Sequence, residues 1–439
     1  MKKYLILFAT AVSIHFACNN NEQQTEQRAN GPKILEAKGS IVPQDSISAP
    51  VVIPFDESTL KRTLAGKPKI NTVPSNVHLA GKPKVTTAGQ PRVSTPGLDS
   101  FALPKITPAV LNTVTAPSPQ VVLAKDPLPK GPRSFSSYSK AQGLKSNLVS
   151  SVLEDRAGNI WFATDDGVTR FDGKFFSHYS LGEAATANNV SRLLEDHNGH
   201  LWFGTSGGGL FRFDGKLFTR FTTKEGLSQD NIASLFEDSK GILWIGTNNG
   251  VNRFDGTSFT YYSSKNGFPG RGVAAIKEDK KGNLWFATNA GLVSWNGKSF
   301  SHFSKMEGLS DSSVSSIIIN NDESIWFGTI RGGLFRFDGK AFYQFTNKEG
   351  LTTNQVNCLM KDRQGNLWIG CHNGGAVKYD GQSFTHYTDK EDLSGNYILS
   401  MIQDKTGNIW LGSDAGGVIK YDANRFTHFT RNEGLSLSN

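Results

Sequence analysis

Short apolar segments separated by turn residues fill the chain from residue 134 to residue 439. In one stretch, the segments span residues 231–238, 242–247, 251–254 and 259–262. Asp, Asn and Gly between them favour tight turns. The segments are apolar on both faces, since neighbours such as Trp202 and Phe203 point to opposite sides of a strand. This pattern predicts small sheets that each pack between two others.

A recurring tryptophan sets the period of these segments. Its copies lie 41 or 42 residues apart, at Trp161, Trp202, Trp244, Trp285, Trp326, Trp368 and Trp410. A period in the low forties with four strand-like segments is typical of a β-propeller. We predict an all-β fold: a seven-bladed β-propeller of four-stranded antiparallel blades over residues 134–439, preceded by a disordered linker.

The sequence contains one fourth-strand pattern more than seven four-stranded blades need. Residues 135–138 read as a fourth strand with no first three strands before them, and residues 426–429 carry the same pattern at the other end. The first segment either docks against blade seven as a clasp or competes with the second for that place. The pattern leaves both possibilities open.

Residues 19–133 have a different composition. Sixteen of the 17 prolines lie between residues 32 and 132, and the segment is poor in aromatic residues. Such a composition buries too little apolar surface to offset the entropy of ordering, so we predict a disordered tether. The segment holds 14 Lys and Arg against 8 Asp and Glu, whereas the part from residue 134 is neutral. A nucleic-acid partner is therefore not expected for the propeller.

The first 18 residues resemble a bacterial lipoprotein signal peptide. Lys2 and Lys3 precede an apolar stretch, and Cys18 follows as the expected lipidation site. Plain secretion and a retained anchor are the alternatives. We expect an outer-membrane lipoprotein of a Gram-negative cell envelope, facing the periplasm or the surface, which contacts the membrane through its lipid anchor only.

The repeat itself resembles the two-component regulator propeller repeat, most clearly at residues 356–381 and 198–215. The resemblance covers about residues 134–439 and implies an extracytoplasmic sensor of ligands, often saccharides, ahead of a histidine kinase. We find no kinase sequence here. The expected function is that of a lipid-anchored ligand-binding or sensory propeller, a monomer that binds a small molecule or glycan and has no kinase activity.

Two other functions stay open. Propellers also serve as protein–protein interaction scaffolds, here of the cell envelope. The Gly-Asn-Ile/Leu-Trp-Phe turns are similar to those of streptogramin lyases, whose family uses a histidine base and a metal-binding acidic residue that we cannot place in this sequence. We expect no enzyme activity, no cofactor and no metal, although Asp165, Asp166 and Asp414 could approach one another at a calcium site if blades one and seven adjoin.

Candidate ligand residues lie where the repeats differ. We expect the turns between second and third strands to share one face with the connections between blades, and ligands often bind on such a face. The candidates are Asp165, Asp166, Asn248, Asn249, Arg271, Asn289, Arg331, His372, Asn373, Tyr397 and Asp414. Together they suit a sugar or polyol, but solvated turn residues would look the same.

Repeated residues are expected to be structural instead. These are the seven tryptophans, the turn aspartates and the fourth-strand histidines His178, His302, His386 and His428. Cys358 and Cys371 fall in consecutive strands of one repeat. Both a disulfide and two unpaired buried thiols are compatible with that placement.

Overall fold

The structure is a computed structural model that describes residues 135–140, 144–181, 188–389, 393 and 395–421, and seven short strands between residues 77 and 130. Seven antiparallel sheets of the repeat region pack around a ring. In six of them the four blade strands follow one another along the chain. The predicted seven-bladed propeller of four-stranded blades is confirmed.

The first three blades contain strands β9–β20. Blade one holds β9–β12 (Val149–Glu154, Ile160–Thr164, Gly167–Phe171, Phe175–Tyr179). Blade two holds β13–β16 (Val190–Glu195, Leu201–Thr205, Leu210–Phe213, Leu217–Phe221). Blade three holds β17–β20 (Ile232–Glu237, Leu243–Thr247, Gly250–Phe254, Ser258–Tyr262).

The remaining blades contain strands β21–β35. Blade four holds β21–β24 (Val273–Glu278, Leu284–Thr288, Gly291–Trp295, Phe300–Phe303). Blade five holds β25–β28 (Val314–Ile319, Ile325–Thr329, Leu334–Phe337, Ala341–Phe345). Blade six holds β29–β32 (Val356–Lys361, Leu367–Cys371, Ala376–Tyr379, Ser383–Tyr387). Blade seven holds β33–β35 (Ile398–Gln403, Ile409–Ser413, Val418–Tyr421) and β8 (Phe135–Tyr138).

In six of the seven blades, the turn between the first and second strands also fixes the repeat tryptophan. In blade three, Asp238 accepts hydrogen bonds from the Ile242 backbone at 3.0 Å and from Trp244 Nε1 at 2.8 Å. Gly241 completes the turn at a φ of 76°, which suits glycine. The carboxylate therefore satisfies a donor that burial of the indole would otherwise leave unpaired.

Aromatic side chains join neighbouring blades. Trp161 of blade one lies 6.0 Å from Phe203 of blade two, ring centroid to centroid, and both belong to one buried cluster with residues of each blade. Burying a large apolar side chain contributes roughly 1.5–3 kcal/mol. The apolar character of both faces of the strands is explained by these contacts between blades.

Blade seven meets blade one and closes the ring. The Val152 backbone N–H donates to Ser400 Oγ at 3.0 Å, and the Lys405 N–H donates to Glu154 Oε2 at 2.8 Å. The fourth strand of blade seven is β8, in which Tyr138 pairs with Val418. The clasp alternative is therefore the one observed, while residues 426–429 lie outside the described residues.

A fifth strand lies on the outer edge of every blade. These strands are β1–β7, which we call the belt: Val77–Leu79, Lys84–Thr87, Arg92–Ser94, Lys105–Pro108, Asn112–Thr115, Gln120–Leu123 and Leu128–Lys130. In chain order they pair antiparallel with blades six, five, four, three, two, one and seven. The prediction of a disordered tether is wrong for these segments.

The spacing of the belt strands along the chain and the hydrogen-bonding groups of their backbone explain how they reach and pair with the blade edges. Most of its strands begin seven or eight residues after the previous one, and eight extended residues reach about 26–29 Å. The N–H and C=O groups on an exposed strand edge are unpaired, so any extended backbone can pair with them. A strand of three or four residues therefore needs no apolar alternation of its own. The rest of the predicted tether, the signal peptide and Cys18 lie outside the described residues.

The two cysteines of blade six are unpaired thiols. Cys371 pairs across the strands with Val356, whereas Cys358 lies opposite Gly370. Burial raises the pKa of the Cys371 thiol to about 12, so it is protonated at neutral pH. No helix in the described part of the chain is long and apolar enough to span a bilayer.

Candidate functional site

The turns between second and third strands meet the connections between blades on one face of the ring. The Ser206 N–H donates to the Asn189 carbonyl at 2.8 Å, and the His372 N–H donates to the Gln355 carbonyl at 3.0 Å. In each pair a turn residue contacts the residue just before the first strand of its own blade. We call this face the loop face. All eleven candidate residues belong to these two classes of loop.

Three of the candidates form a group at the boundary of blades six and seven. The rings of His372 and Tyr397 lie 4.0 Å apart, centroid to centroid, with 52° between their planes. The Asp414 N–H donates to the Tyr397 carbonyl at 3.2 Å. We call these three residues the blade 6–7 cluster. They come from a turn of blade six, the connection that follows it and a turn of blade seven.

The cluster combines an aromatic surface with polar groups. His372, Tyr397 and Asp414 are all half-buried. Burial raises the pKa of the Tyr397 hydroxyl, and the Asp414 charge raises it further. The hydroxyl is therefore a neutral donor across the physiological range. Beside the cluster, Asn373 takes the left-handed conformation at a φ of 54°, which asparagine adopts more readily than most residues.

A hydrogen bond between Asn289 and Arg271 connects the second-to-third-strand turn of blade four to the connection that precedes the blade. Asn289 Oδ1 accepts the Arg271 backbone N–H at 3.0 Å, and the Arg271 carbonyl accepts from Gly250 N–H at 2.6 Å. The Arg271 side chain is exposed. In blade three Asn248 is half-buried and Asn249 is exposed, and the Asn249 carbonyl accepts a bond from the Tyr261 hydroxyl.

Among the remaining candidates, Asp166 and Arg331 have partners outside the cluster. Asp165 and Asp166 are exposed, and Asp166 pairs with Lys145 Nζ at 3.3 Å. Arg331 is exposed, and its backbone N–H donates to Asp311 Oδ2 at 2.8 Å. Lys145 and Asp311 were not predicted, because variation between the repeats shows which positions differ and not which residues are partners. Both were findable as charged residues in the connections that precede blades one and five.

The possible calcium site finds no support. Although blades one and seven do adjoin, the described residues contain no group of three or more His, Cys, Asp or Glu placed to hold a metal ion.

The structural interpretation of the fourth-strand histidines is supported by their contacts. His178 Nδ1 lies 2.9 Å from Thr169 Oγ1, and His302 Nε2 lies 3.0 Å from the Ala290 carbonyl. His428 is outside the described residues.

A cavity of about 570 Å³ lies on the opposite side of the ring from the loop face, between blades three and four. Its lining includes Tyr262 and Trp295 and the turns between first and second strands. None of the eleven candidate residues lines this cavity. A signal was nevertheless present, because Trp295 is the one tryptophan outside the 41- or 42-residue period.

The repeats match a known family. Segments 143–166, 186–207, 226–249, 267–290, 350–373 and 392–415 match the repeat described as the two component regulator propeller. The chain carries two component regulator propeller repeats. They lie in six of the seven blades, and each spans a blade connection, the first two strands and the turn after them. The loop face is thus part of the unit that defines the family.

Solved structures share the propeller fold. The extracellular domains of two putative hybrid two component systems from B. thetaiotaomicron are each 24% identical to the chain, with TM-scores of 0.57 and 0.55. The alignments cover 66% and 67% of this chain but 42% and 40% of those domains. The chain therefore spans about two fifths of their length, and at this identity the similarity establishes the fold alone.

Propeller enzymes are also similar in fold. Virginiamycin B lyase from Staphylococcus aureus is 15% identical with a TM-score of 0.52, over 69% of this chain and 99% of the lyase. No curated protein matches the sequence. The comparisons therefore show the repeats and the fold.

Proposed function

We propose that this propeller is an extracytoplasmic ligand-binding or sensory module, and that its ligand contacts the blade 6–7 cluster. The supporting observation is that three variable residues from separate loops meet there, with His372 and Tyr397 in ring contact at 4.0 Å. The proposed ligand is a saccharide or similar polyol. Aromatic faces pack against the apolar face of a sugar ring, and the flanking hydroxyl, imidazole and carboxylate provide donors and acceptors for its hydroxyl groups.

The proposal describes binding without turnover. Stacking and hydrogen bonding are what the cluster offers, and the fourth-strand histidines His178 and His302 are engaged in bonds within their blades. The lyase-like alternative is tested by incubating the full chain with a streptogramin with and without a chelator. Chelator-sensitive turnover would contradict the non-catalytic proposal.

Lipid anchorage is part of the same proposal. Acylation at Cys18 would attach the chain to the outer membrane of a Gram-negative cell, with the propeller facing the periplasm or the surface. Mass spectrometry of the mature N-terminus tests it, since a diacylglyceryl cysteine is expected there. An unmodified N-terminus at another residue would contradict lipidation.

Alanine substitution at Tyr397 tests the ligand site. The wild-type chain is first screened on a glycan array to identify a glycan that it binds. We expect Tyr397→Ala to weaken binding of that glycan by about tenfold or more, because the substitution removes the aromatic surface. Isothermal titration calorimetry measures the change. Arg331→Ala is the comparison variant, since Arg331 is an exposed candidate on the loop face of blade five that is not part of the cluster.

The outcomes separate three functions. Loss in Tyr397→Ala with no change in Arg331→Ala supports the cluster, while equal loss in both contradicts it. An array without a binding glycan, together with an envelope protein that cross-links at the loop face, would favour the scaffold alternative instead.

A further inference from the structure

The cavity between blades three and four has the size of a small-molecule site. Its volume is about 570 Å³, within the range of roughly 300–1,000 Å³ for ligand pockets. It is bounded by the first turns of both blades and by the turn at Asn296 and Gly297. It lies away from the blade 6–7 cluster, which belongs to the opposite face and to other blades.

Trp295 distinguishes this groove from the other grooves of the ring. The six other blades carry Phe or Tyr at the same position, at Phe171, Phe213, Phe254, Phe337, Tyr379 and Tyr421. Trp295 packs on Phe300 with ring centroids 4.3 Å apart and stays half-buried. One face of the ring system is thus supported by the core, and part of the indole remains accessible in the cavity.

The indole nitrogen of Trp295 differs from those of the repeat tryptophans. Six of the seven repeat tryptophans donate Nε1 to their turn aspartate at 2.7–3.0 Å. The Nε1 of Trp295 has no hydrogen-bond partner within the part of the chain that the structure describes. Its position at the cavity lining leaves this donor available for a ligand acceptor.

Tyr262 adds a second unused donor. The residue is only 9% exposed, and its ring lies 5.6 Å from that of Trp295. Its hydroxyl has no hydrogen-bond partner among the described residues, although it lines the cavity. The residue lines the cavity and its hydroxyl is not sealed within the core, so an acceptor on a bound molecule can reach it.

The charges around the cavity favour an anion. Four cationic side chains line it, namely Lys240, Arg253, Lys280 and Lys281, against the acids Asp238 and Glu278. Asp238 accepts from Trp244 Nε1 at 2.8 Å and Glu278 accepts from Ser239 Oγ at 2.8 Å, both from neutral donors, so the cations of the lining exceed the acids by two.

Three of the four cations have protein partners. Arg253 pairs with Asp255 at 3.3 Å, and Lys281 pairs with Glu323 at 2.7 Å. Lys280 Nζ donates to the Asn321 carbonyl at 2.6 Å. The ammonium group of exposed Lys240 has no hydrogen-bond or ion-pair partner in the described ranges, so it is the lining cation that is free to pair with a ligand anion.

We propose that this cavity is a second binding site, and that its ligand is a carboxylated pyranose, the unit of an acidic saccharide. The sugar ring packs on Trp295, the Tyr262 hydroxyl and the Trp295 indole donate to ring substituents, and the carboxylate lies towards Lys240 and Arg253. An aromatic surface, two unpaired donors and a cationic wall are together what such a molecule needs.

The repeats provide variants that are expected to fold. Tyr262→Phe installs the residue that blades two, four and five carry at this position, at Phe221, Phe303 and Phe345. Trp295→Phe installs the residue of four other blades. Tyr179→Phe is the matched control, because Tyr179 occupies the same position in blade one and is 7% exposed.

The experiment titrates the full chain with glucuronic acid and, separately, with glucose by calorimetry. We expect glucuronic acid to bind the wild-type chain at least tenfold more tightly than glucose. Affinity for glucuronic acid should fall about tenfold in both Tyr262→Phe and Trp295→Phe, which corresponds to loss of one hydrogen bond or of part of the stacking surface. It should be unchanged in Tyr179→Phe.

Three results would overturn the second site: no binding of glucuronic acid to the wild-type chain, equal affinity for glucose, or unchanged affinity in either cavity variant. Tyr397→Ala should leave glucuronic acid binding intact. The two proposed sites can therefore fail independently.

Discussion

Aspartate side chains accept hydrogen bonds at two kinds of turn, one between the first and second strands of a blade and one between the third and fourth strands. Burial alone would raise the pKa of Asp404, but hydrogen bonds from Trp410, Asn408 and Thr406 lower it overall. At the turn between third and fourth strands, hydrogen bonds from the Leu217 and Lys216 backbones lower the pKa of Asp214. These residues favour the carboxylate form in the folded chain, which links the stability of the blades to pH.

The first prediction concerns acid unfolding. Groups with a pKa lowered by folding contribute stability that is fully present above their unfolded pKa of about 4 and is lost as pH falls through the folded value. We expect the free energy of unfolding to change little from these aspartates between pH 5 and 8 and to fall below about pH 4. Urea denaturation at a series of pH values measures it.

Asp404→Asn tests whether Asp404 contributes to the loss of stability at low pH. It should cost about 1–3 kcal/mol at pH 7, because the buried hydrogen-bond network loses its charged acceptor, and it should reduce the acid dependence. Asp165→Asn, at an exposed turn position, is the control. An acid dependence that is the same in Asp404→Asn and the wild-type chain would contradict this account.

At the scale of elements, the belt changes the role of residues 77–130. Each of its strands covers a fourth-strand edge that would otherwise present unpaired backbone groups. In blade two, Asn112–Thr115 pairs with Leu217–Phe221, with Val114 opposite Phe218. The pairing is between backbones, so one belt strand contributes locally to one blade.

The second prediction follows from this local pairing. Replacing Asn112–Thr115 by four prolines removes the backbone donors of that belt strand. We expect faster amide hydrogen exchange in Leu217–Phe221 and unchanged exchange in Ser383–Tyr387 of blade six, which serves as the internal reference. Mass spectrometry with peptide resolution measures both. Unchanged exchange in blade two would mean that the belt does not protect its edge.

At the scale of the whole molecule, closure of the ring depends on one strand from the far end of the propeller sequence. Tyr138 of β8 stacks on Trp410 with ring centroids 6.1 Å apart and lies 5.8 Å from Phe176 of blade one. It therefore contacts both the last and the first blade. The contact with Trp410 joins residues about 270 positions apart, so closure depends on a non-local pairing.

The third prediction tests which strand closes the ring. Tyr138→Ala should lower the free energy of unfolding by about 3 kcal/mol or more, as expected for truncating a buried aromatic side chain. Phe429→Ala is the matched substitution in the competing segment and should cost much less. Chemical denaturation compares the two variants. An equal or larger loss in Phe429→Ala would assign the fourth strand of blade seven to residues 426–429.

The sequence alone determined the repeating part of the fold. The tryptophan period set the number of blades. In blade three, every strand end lies within one residue of the end of the expected segment. This works because strands, turns and the Asp–Trp bond all join residues within one repeat. It also placed the candidate residues on one face, since that depends only on strand order.

Only the tertiary structure decided the contacts between distant segments. It assigned β8 to blade seven, paired the belt with the outer edges, left Cys358 and Cys371 unpaired, and brought three of eleven candidates together. Backbone pairing at a strand edge requires almost no particular side chains, so composition suggested disorder where strands form. Which loops meet across a blade boundary depends on ring geometry, which no single repeat contains.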